Sequence, residues 1–167
     1  MHNRIINSIL TVIALCASLQ AAAAVKRGFA IVVDPKSYQE AKSEINEYAK
    51  AIEDINGLKV FIVQDKWGVP DSIRAELTRL HSQKAFPIEG TALLGDIPVA
   101  MIRDAQHMTS AFKMNQINDR RESSVPSDRF YDDLGLKFQF LDKDSVKPYF
   151  YYSLKAESRQ YLRPTIY

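Results

Sequence analysis

Three short aliphatic runs alternating with two segments of helical period point to an α/β fold built on a parallel sheet in this chain of 167 residues. The runs are "GFAIVVD", "LKVFIVQD" and "TALLGD", and each closes on an aspartate: Asp34, Asp65 and Asp96. Strand, helix, strand, helix, strand in that order requires parallel strands joined by right-handed crossovers. The resulting expectation is a parallel α/β unit with helices packed on its sheet.

Residues 1–24 precede the first run and read as a secretory signal. Arg4 supplies the positive start, "ILTVIALCASL" the apolar core, and Ala21 to Ala24 a small-residue cleavage site. The core is about 11 residues, against the roughly 20 that cross a bilayer. Bulky Leu15 before Cys16 argues against a lipid-modified cysteine. Export to the periplasm, cell surface or medium is therefore expected, with no integral membrane segment once the signal is removed. What remains, about 143 residues, is enough for one domain with its own core. Its charge is close to balanced, since the whole chain has 22 Lys+Arg and 20 Asp+Glu and the signal holds only Arg4. Such a balance gives no electrostatic basis for a nucleic-acid partner. The single cysteine, Cys16, departs with the signal. No disulfide, thiolate metal site or cysteine nucleophile is then left in the mature part.

Gly28 to Asp34 is apolar without alternation, as expected of a strand covered on both faces. Pro35 ends it, and Ser37 with Glu40 forms a potential S-x-x-E capping box. Ala41, Ile45, Tyr48, Ile52 and Ile55 then recur at helical spacing as far as Asn56, where Gly57 supplies a stop. Leu58 to Asp65 forms the second strand. "GVPD" opens a second helix with the stripe Ile73, Leu77 and Leu80. Thr91 to Asp96 is the third strand, ended by a glycine that permits a sharp turn and by Pro98, which bars ordinary continuation. These elements make a βαβαβ core over residues 25–100. Residues 101–167 lack a sustained period and form an irregular, aromatic region, in which "LKFQFLD" alternates as an edge strand would and "YFYYSL" reads as another.

Most catalytic chemistry is excluded by what the motifs omit. The first strand-to-helix turn, "VVDPKSYQEA", contains no glycine, so a phosphate cradle is ruled out, and no G-x-S-x-G elbow is present. His81 belongs to a helix end and His107 to the irregular stretch, and the two have no metal-ligand spacing. Asp128, Asp132 and Asp133, with Asp142 and Asp144, could hold calcium through oxygen ligands. They lack EF-hand spacing, and solvated loop carboxylates are the commoner case; Asp132 and Asp133 are the metal candidates carried forward. Phe130, Tyr131, Tyr149, Phe150, Tyr151 and Tyr152 could line a peptide or sugar groove, or simply pack a core. Aspartates at strand ends usually bond nearby backbone amides, which suffices for Asp34 and Asp65. For Asp96 a working carboxylate and a turn cap are both open, because ligands gather at the carboxyl ends of parallel strands.

Two separated phrases resemble a known family. "ALLGDIPVAM", Ala92 to Met101, is similar to the strand and turn of gingipain-type cysteine peptidases, and "VPSDRFYDDL", Val125 to Leu134, is similar to their later S/T-D-x-x-Y element. "GLKV", Gly57 to Val60, opens the second strand in the matching order. The resemblance spans roughly Lys26 to Leu134. It implies a three-layer, caspase-like α/β parallel-sheet fold, incomplete within this chain and exported, with a Cys-His dyad in which a thiolate attacks the scissile carbonyl while imidazole manages the proton. In that family the His follows a later strand and the Cys the strand after it, and neither element occurs here. The chain is accordingly expected to be the N-terminal portion of such a peptidase, inactive as given, with no catalytic residue and no required cofactor. A polypeptide would be its substrate only if the missing half completed it. The resemblance assigns supporting roles to Gly95, Asp96, Pro98, Ser127, Asp128 and Tyr131. The alternative expectation is a non-catalytic exported module that binds a peptide or glycan.

Overall fold

The structure, a computed structural model, describes residues 26–103, 124–155 and 157–158. The expected signal segment, Cys16, His107 and the terminal "RPTIY" lie outside the described residues.

β1 (Gly28–Val33) is the centre of a three-stranded sheet, with β2 (Lys59–Gln64) on one side and β3 (Ile88–Leu94) on the other. Both pairings are parallel, as expected; Ile31 lies opposite Ile62 in β2 and Ala92 in β3. The chain steps outward from β1 to β2, then crosses back over β1 to lay down β3. Its crossovers therefore cover opposite faces. Ile31 and Val33 pack on Ile45, Ala49 and Ile52 of α2 (Lys42–Asn56), whereas Ala30 and Val32 pack on Ile73, Leu77 and Leu80 of α3 (Pro70–Ser82). Burial on both faces is why β1 reads as an unbroken apolar run: Ala30 to Val33 are all 0% exposed.

Several local expectations need correction. The capping box on Ser37 and Glu40 does not form, because the helix starts earlier. Asp34 is the N-cap of α1 (Pro35–Glu40), with Pro35 in the first turn where its missing N–H costs nothing. α1 breaks at Ala41 (φ −123°, ψ 32°) before α2 begins. Along α2 the buried stripe is Ile45, Ala49 and Ile52; Tyr48 is 46% and Ile55 81% exposed. Gly57 ends α2 at φ 66°, as its position requires. No described helix is long and apolar enough to cross a membrane.

The larger correction concerns the region after Ala100. Pro98 ends the turn after β3, and β4 (Val99–Arg103) follows at once in a different sheet. With β5 (Ser124–Pro126), β6 (Phe138–Lys143) and β7 (Tyr149–Leu154) it forms a mixed sheet in the order β5-β4-β7-β6. β6 lies at an edge, as its alternation suggested. β7, "YFYYSL", is central instead, parallel to β4 and antiparallel to β6. A short helix, α4 (Arg129–Asp132), connects β5 toward β6. Phe130, Tyr131, Phe150, Tyr151 and Tyr152 are each at most 4% exposed, so they belong chiefly to the core, with Tyr131 and Phe150 also reaching the edge of a cleft. Phe130 stacks at 4.5 Å from Tyr152 and 5.0 Å from Phe138. These rings join Ala30, Val32 and the α3 stripe in one cluster that unites the two sheets.

Arg74 of α3 fastens that union. Its guanidinium donates to the carbonyls of Phe130, Asp133 (3.1 Å) and Leu136 (2.7 Å). It also lies 5.3 Å from the centre of the Phe130 ring and 5.2 Å from that of Phe138. Burial lowers its pKa, and the charges of Asp133, Asp71 and Asp132 work against that shift.

Candidate functional site

The carboxyl ends of β1 and β3 are tied together by Asp34. One carboxylate oxygen accepts the amides of Lys36 and Ser37, both at 3.0 Å, and caps α1. The other accepts the amide of Asp96 at 2.7 Å, across the gap to the β3–β4 turn. Gly95 is obligatory beside it. Its φ is 82°, and a β-carbon there would stand 2.2 Å from Asp34 Oδ2 and 2.4 Å from Ser37 Oγ. These donors hold the Asp34 carboxyl down at about 2, the Ser37 hydroxyl and then its amide contributing most, against the opposing effect of burial. The roles of the two aspartates are thus divided. Asp34 is the buried tie, only 7% exposed, and Asp96 takes part through its backbone. The Asp96 side chain is exposed and makes no hydrogen bond or ion pair among the described residues. Asp65 accepts the amide of Lys66 at 2.7 Å and serves its own turn.

The two phrases that carried the resemblance meet at this edge. The Tyr131 hydroxyl donates to the Pro98 carbonyl at 3.0 Å, and the Ser127 amide donates to the Ala100 carbonyl at 3.1 Å. Ser127 Oγ accepts the Arg129 amide at 3.3 Å, and the Asp128 carbonyl accepts the amides of Tyr131 (2.7 Å) and Asp132 (3.0 Å), which starts α4. Burial drives the Tyr131 pKa up, with Asp128 and Asp71 adding to it, so the hydroxyl stays a donor. Leu93, Pro98, Ala100, Pro126, Ser127 and Tyr131 wall a cleft of about 190 Å³. Gly95, Asp96, Pro98, Ser127, Asp128 and Tyr131 therefore share one end of the fold, with Gly95 and Asp96 on the turn and the others at the cleft.

The metal candidates are dispersed. Asp133 accepts from Arg129 (2.9 Å) and from the Gly135 amide (3.2 Å). Burial raises the Asp132 carboxyl, opposed by Arg129 at 3.9 Å. Asp142 accepts the Lys143 amide at 2.8 Å, while Asp144 accepts those of Val146 (2.9 Å) and Lys147 (3.0 Å). Among the described residues no three of His, Cys, Asp or Glu gather as a metal site, so the calcium expectation finds no assembled ligand set there. His81 lies at the opposite end of the strands, its Nδ1 3.0 Å from the Ile88 carbonyl.

A second, larger cleft of about 420 Å³ adjoins the same turn and was not anticipated from the sequence. Trp67, Asp96, Pro98, Lys143, Lys147 and Phe150 are among its walls. The one available signal was Trp67, the sole tryptophan, two residues past the end of an aspartate-terminated strand run. No family model, curated protein or solved structure matches the chain.

Proposed function

We propose that this chain is the front portion of an exported gingipain-like cysteine peptidase domain, whose role is to position the carboxyl edge of a caspase-like sheet while a thiol and an imidazole come from sequence beyond Tyr167. The observation that carries the reading is the junction of "GDIP" and "SDRFY". Two phrases that begin 32 residues apart, picked out by resemblance alone, are joined by the Tyr131–Pro98 and Ser127–Ala100 hydrogen bonds. They meet where a parallel α/β sheet places its chemistry. A further support is β3, which among the described residues pairs with β1 alone and leaves its other edge open to a following strand. In this reading Asp34 and Gly95 fix the edge, Pro98 and Tyr131 couple it to the second sheet, and Asp96 faces solvent beside the place a substrate would lie.

The decisive experiment is to sequence the DNA that follows the Tyr167 codon and to assay the purified full chain on a panel of fluorogenic peptides. The expected result is a downstream frame encoding an H-G strand and then a Cys strand, with no hydrolysis by the chain alone. A downstream region lacking those strands in every frame would overturn the reading, and so would hydrolysis by the pure chain. The alternative of a binding module would have to use the clefts that Phe150 and Tyr131 border, because five of the six rings are otherwise buried in the core.

A further inference from the structure

We infer that the larger cleft is a recognition site for a peptide carboxylate: a glutamate- or aspartate-bearing segment seated between the Asp96–Pro98 turn and the β6–β7 hairpin. The inference stands whether or not the chain belongs to a peptidase. The cleft lies along the carboxyl edge of the parallel sheet, walled by the turns that follow β2 and β3; the carboxyl edges of such sheets are the usual ligand crevices of open α/β folds. Its volume, about 420 Å³, suits a short peptide segment rather than a single small ion.

Its walls are held before any ligand arrives. Asp34 grips the Asp96 amide at 2.7 Å, and Trp67 donates its indole N–H to the Val33 carbonyl at 3.1 Å. The hairpin is latched by Val99 N–H to the Pro148 carbonyl at 2.7 Å and by Asp144 N–H to the Tyr149 carbonyl at 2.9 Å. Pro98 and Phe150 are buried and supply an apolar floor.

The charges at the mouth select the ligand. Lys143 Nζ sits 5.0 Å over the Phe150 ring and Lys147 Nζ 5.4 Å over the Tyr149 ring. Each ammonium is steered by an aromatic face, and neither has an ion-pair partner among the described residues. Asp144 between them is turned into its own hairpin, accepting the Val146 and Lys147 amides. Across the cleft stands the uncommitted carboxylate of Asp96. A ligand must therefore offer negative charge to the two lysines while keeping it away from Asp96. A carboxylate at the end of a side chain on an extended peptide does this; a free dianion such as phosphate would be repelled by Asp96 and would leave the apolar floor unused.

Trp67, the only tryptophan of the chain, reports on its own cleft by fluorescence. The test titrates the full chain with acetyl-Ala-Glu-Glu-Ala-amide, with the Gln-Gln counterpart and inorganic phosphate run alongside. The Glu peptide is expected to give a saturable change in emission that weakens in about 0.5 M salt. The Gln peptide should bind several-fold more weakly. Lys143→Met with Lys147→Met should cost about tenfold in affinity, the sum of two exposed ion pairs, while Asp96→Asn should tighten binding about threefold. A circular-dichroism melt of each variant verifies that it folds, which the exposed position of all three side chains favours. Four outcomes would overturn the inference: equal binding of the Glu and Gln peptides, undiminished binding by the lysine double variant, equal competition by phosphate, or no binding of the Glu peptide at millimolar concentration by either fluorescence or calorimetry.

Discussion

The parallel sheet and the mixed sheet satisfy the same demand by different means. Buried backbone groups must find partners in both. Around β1 the helix ends are closed locally: Asp34 caps the helix that begins one residue later, and Gly57 closes the helix that precedes β2. Around β7 the partners are remote. β4 pairs with a strand about 50 residues further on, and the carbonyls of the 130–136 segment turn to Arg74, which lies 56 to 62 residues earlier. Both sheets depend on long-range pairing, β1 with β3 as much as β4 with β7, but the parallel unit closes its helix ends with local caps, and the mixed sheet leans on that unit through α3.

That dependence can be broken at Arg74. Arg74→Met keeps apolar bulk against Phe130 and Phe138 and removes every donor to the three carbonyls. Leaving buried acceptors unpaired costs about 3 kcal/mol in total, the largest effect expected of the substitutions considered. The loss should fall on the mixed sheet first. Tyr131, Tyr149, Tyr151 and Tyr152 belong to the mixed sheet and its helix, so the tyrosine band of the near-ultraviolet circular dichroism should lose part of its amplitude below the far-ultraviolet transition from the helices of the parallel unit. Coincident transitions at an unchanged midpoint would show that Arg74 does not join the two sheets.

The same contrast explains what could be read in the residues alone. β1, β2, α3 and the αL glycine Gly57 were legible because period and caps are local properties; Ile73, Leu77 and Leu80 are buried as their spacing required. Tyr48 and Ile55 were misplaced because several faces of α2 carry apolar residues, and only the flat surface of β1 selects the face of Ala49. β4 was missed because Pro98 suggested an end, although "VAMI" is an apolar run in its own right. The central place of β7 depends on pairing with β4, which no local pattern encodes. At the site, the motif phrases named the turn at Asp96, and the side chain that holds this turn is Asp34. That Asp34 reaches Asp96 is a contact over 62 residues, invisible until the strands are laid side by side.

Asp34→Asn probes the parallel unit at the point where it meets the rest. An amide in place of the carboxylate weakens the α1 cap and the bond to the Asp96 amide, a loss of about 2 kcal/mol at neutral pH. The folded-state pKa of about 2 lies below the ordinary value of 3.8, so ionised Asp34 stabilises the fold. This contribution is fully present above about pH 4 and is lost as pH falls toward about 2. Wild type should lose midpoint temperature across that interval, and Asp34→Asn should lose distinctly less. Parallel acid limbs for the two proteins would exclude Asp34 as the tie.

The finest discrimination compares two buried tyrosines of the mixed sheet. Tyr131 donates to the Pro98 carbonyl at 3.0 Å in a buried setting, whereas Tyr152 donates to Asp71 at 2.5 Å, on an exposed residue of α3. Tyr131→Phe leaves a buried carbonyl without its partner and should cost about 1 kcal/mol, roughly 4 °C in the melting midpoint. Tyr152→Phe should cost less, because Asp71 can turn to water once the hydroxyl is gone. The ordering matters more than either value. A protein in which the Tyr152 change is the more damaging would derive its cohesion from the α3 end of the mixed sheet, and the Pro98 junction would be a contact without energetic weight.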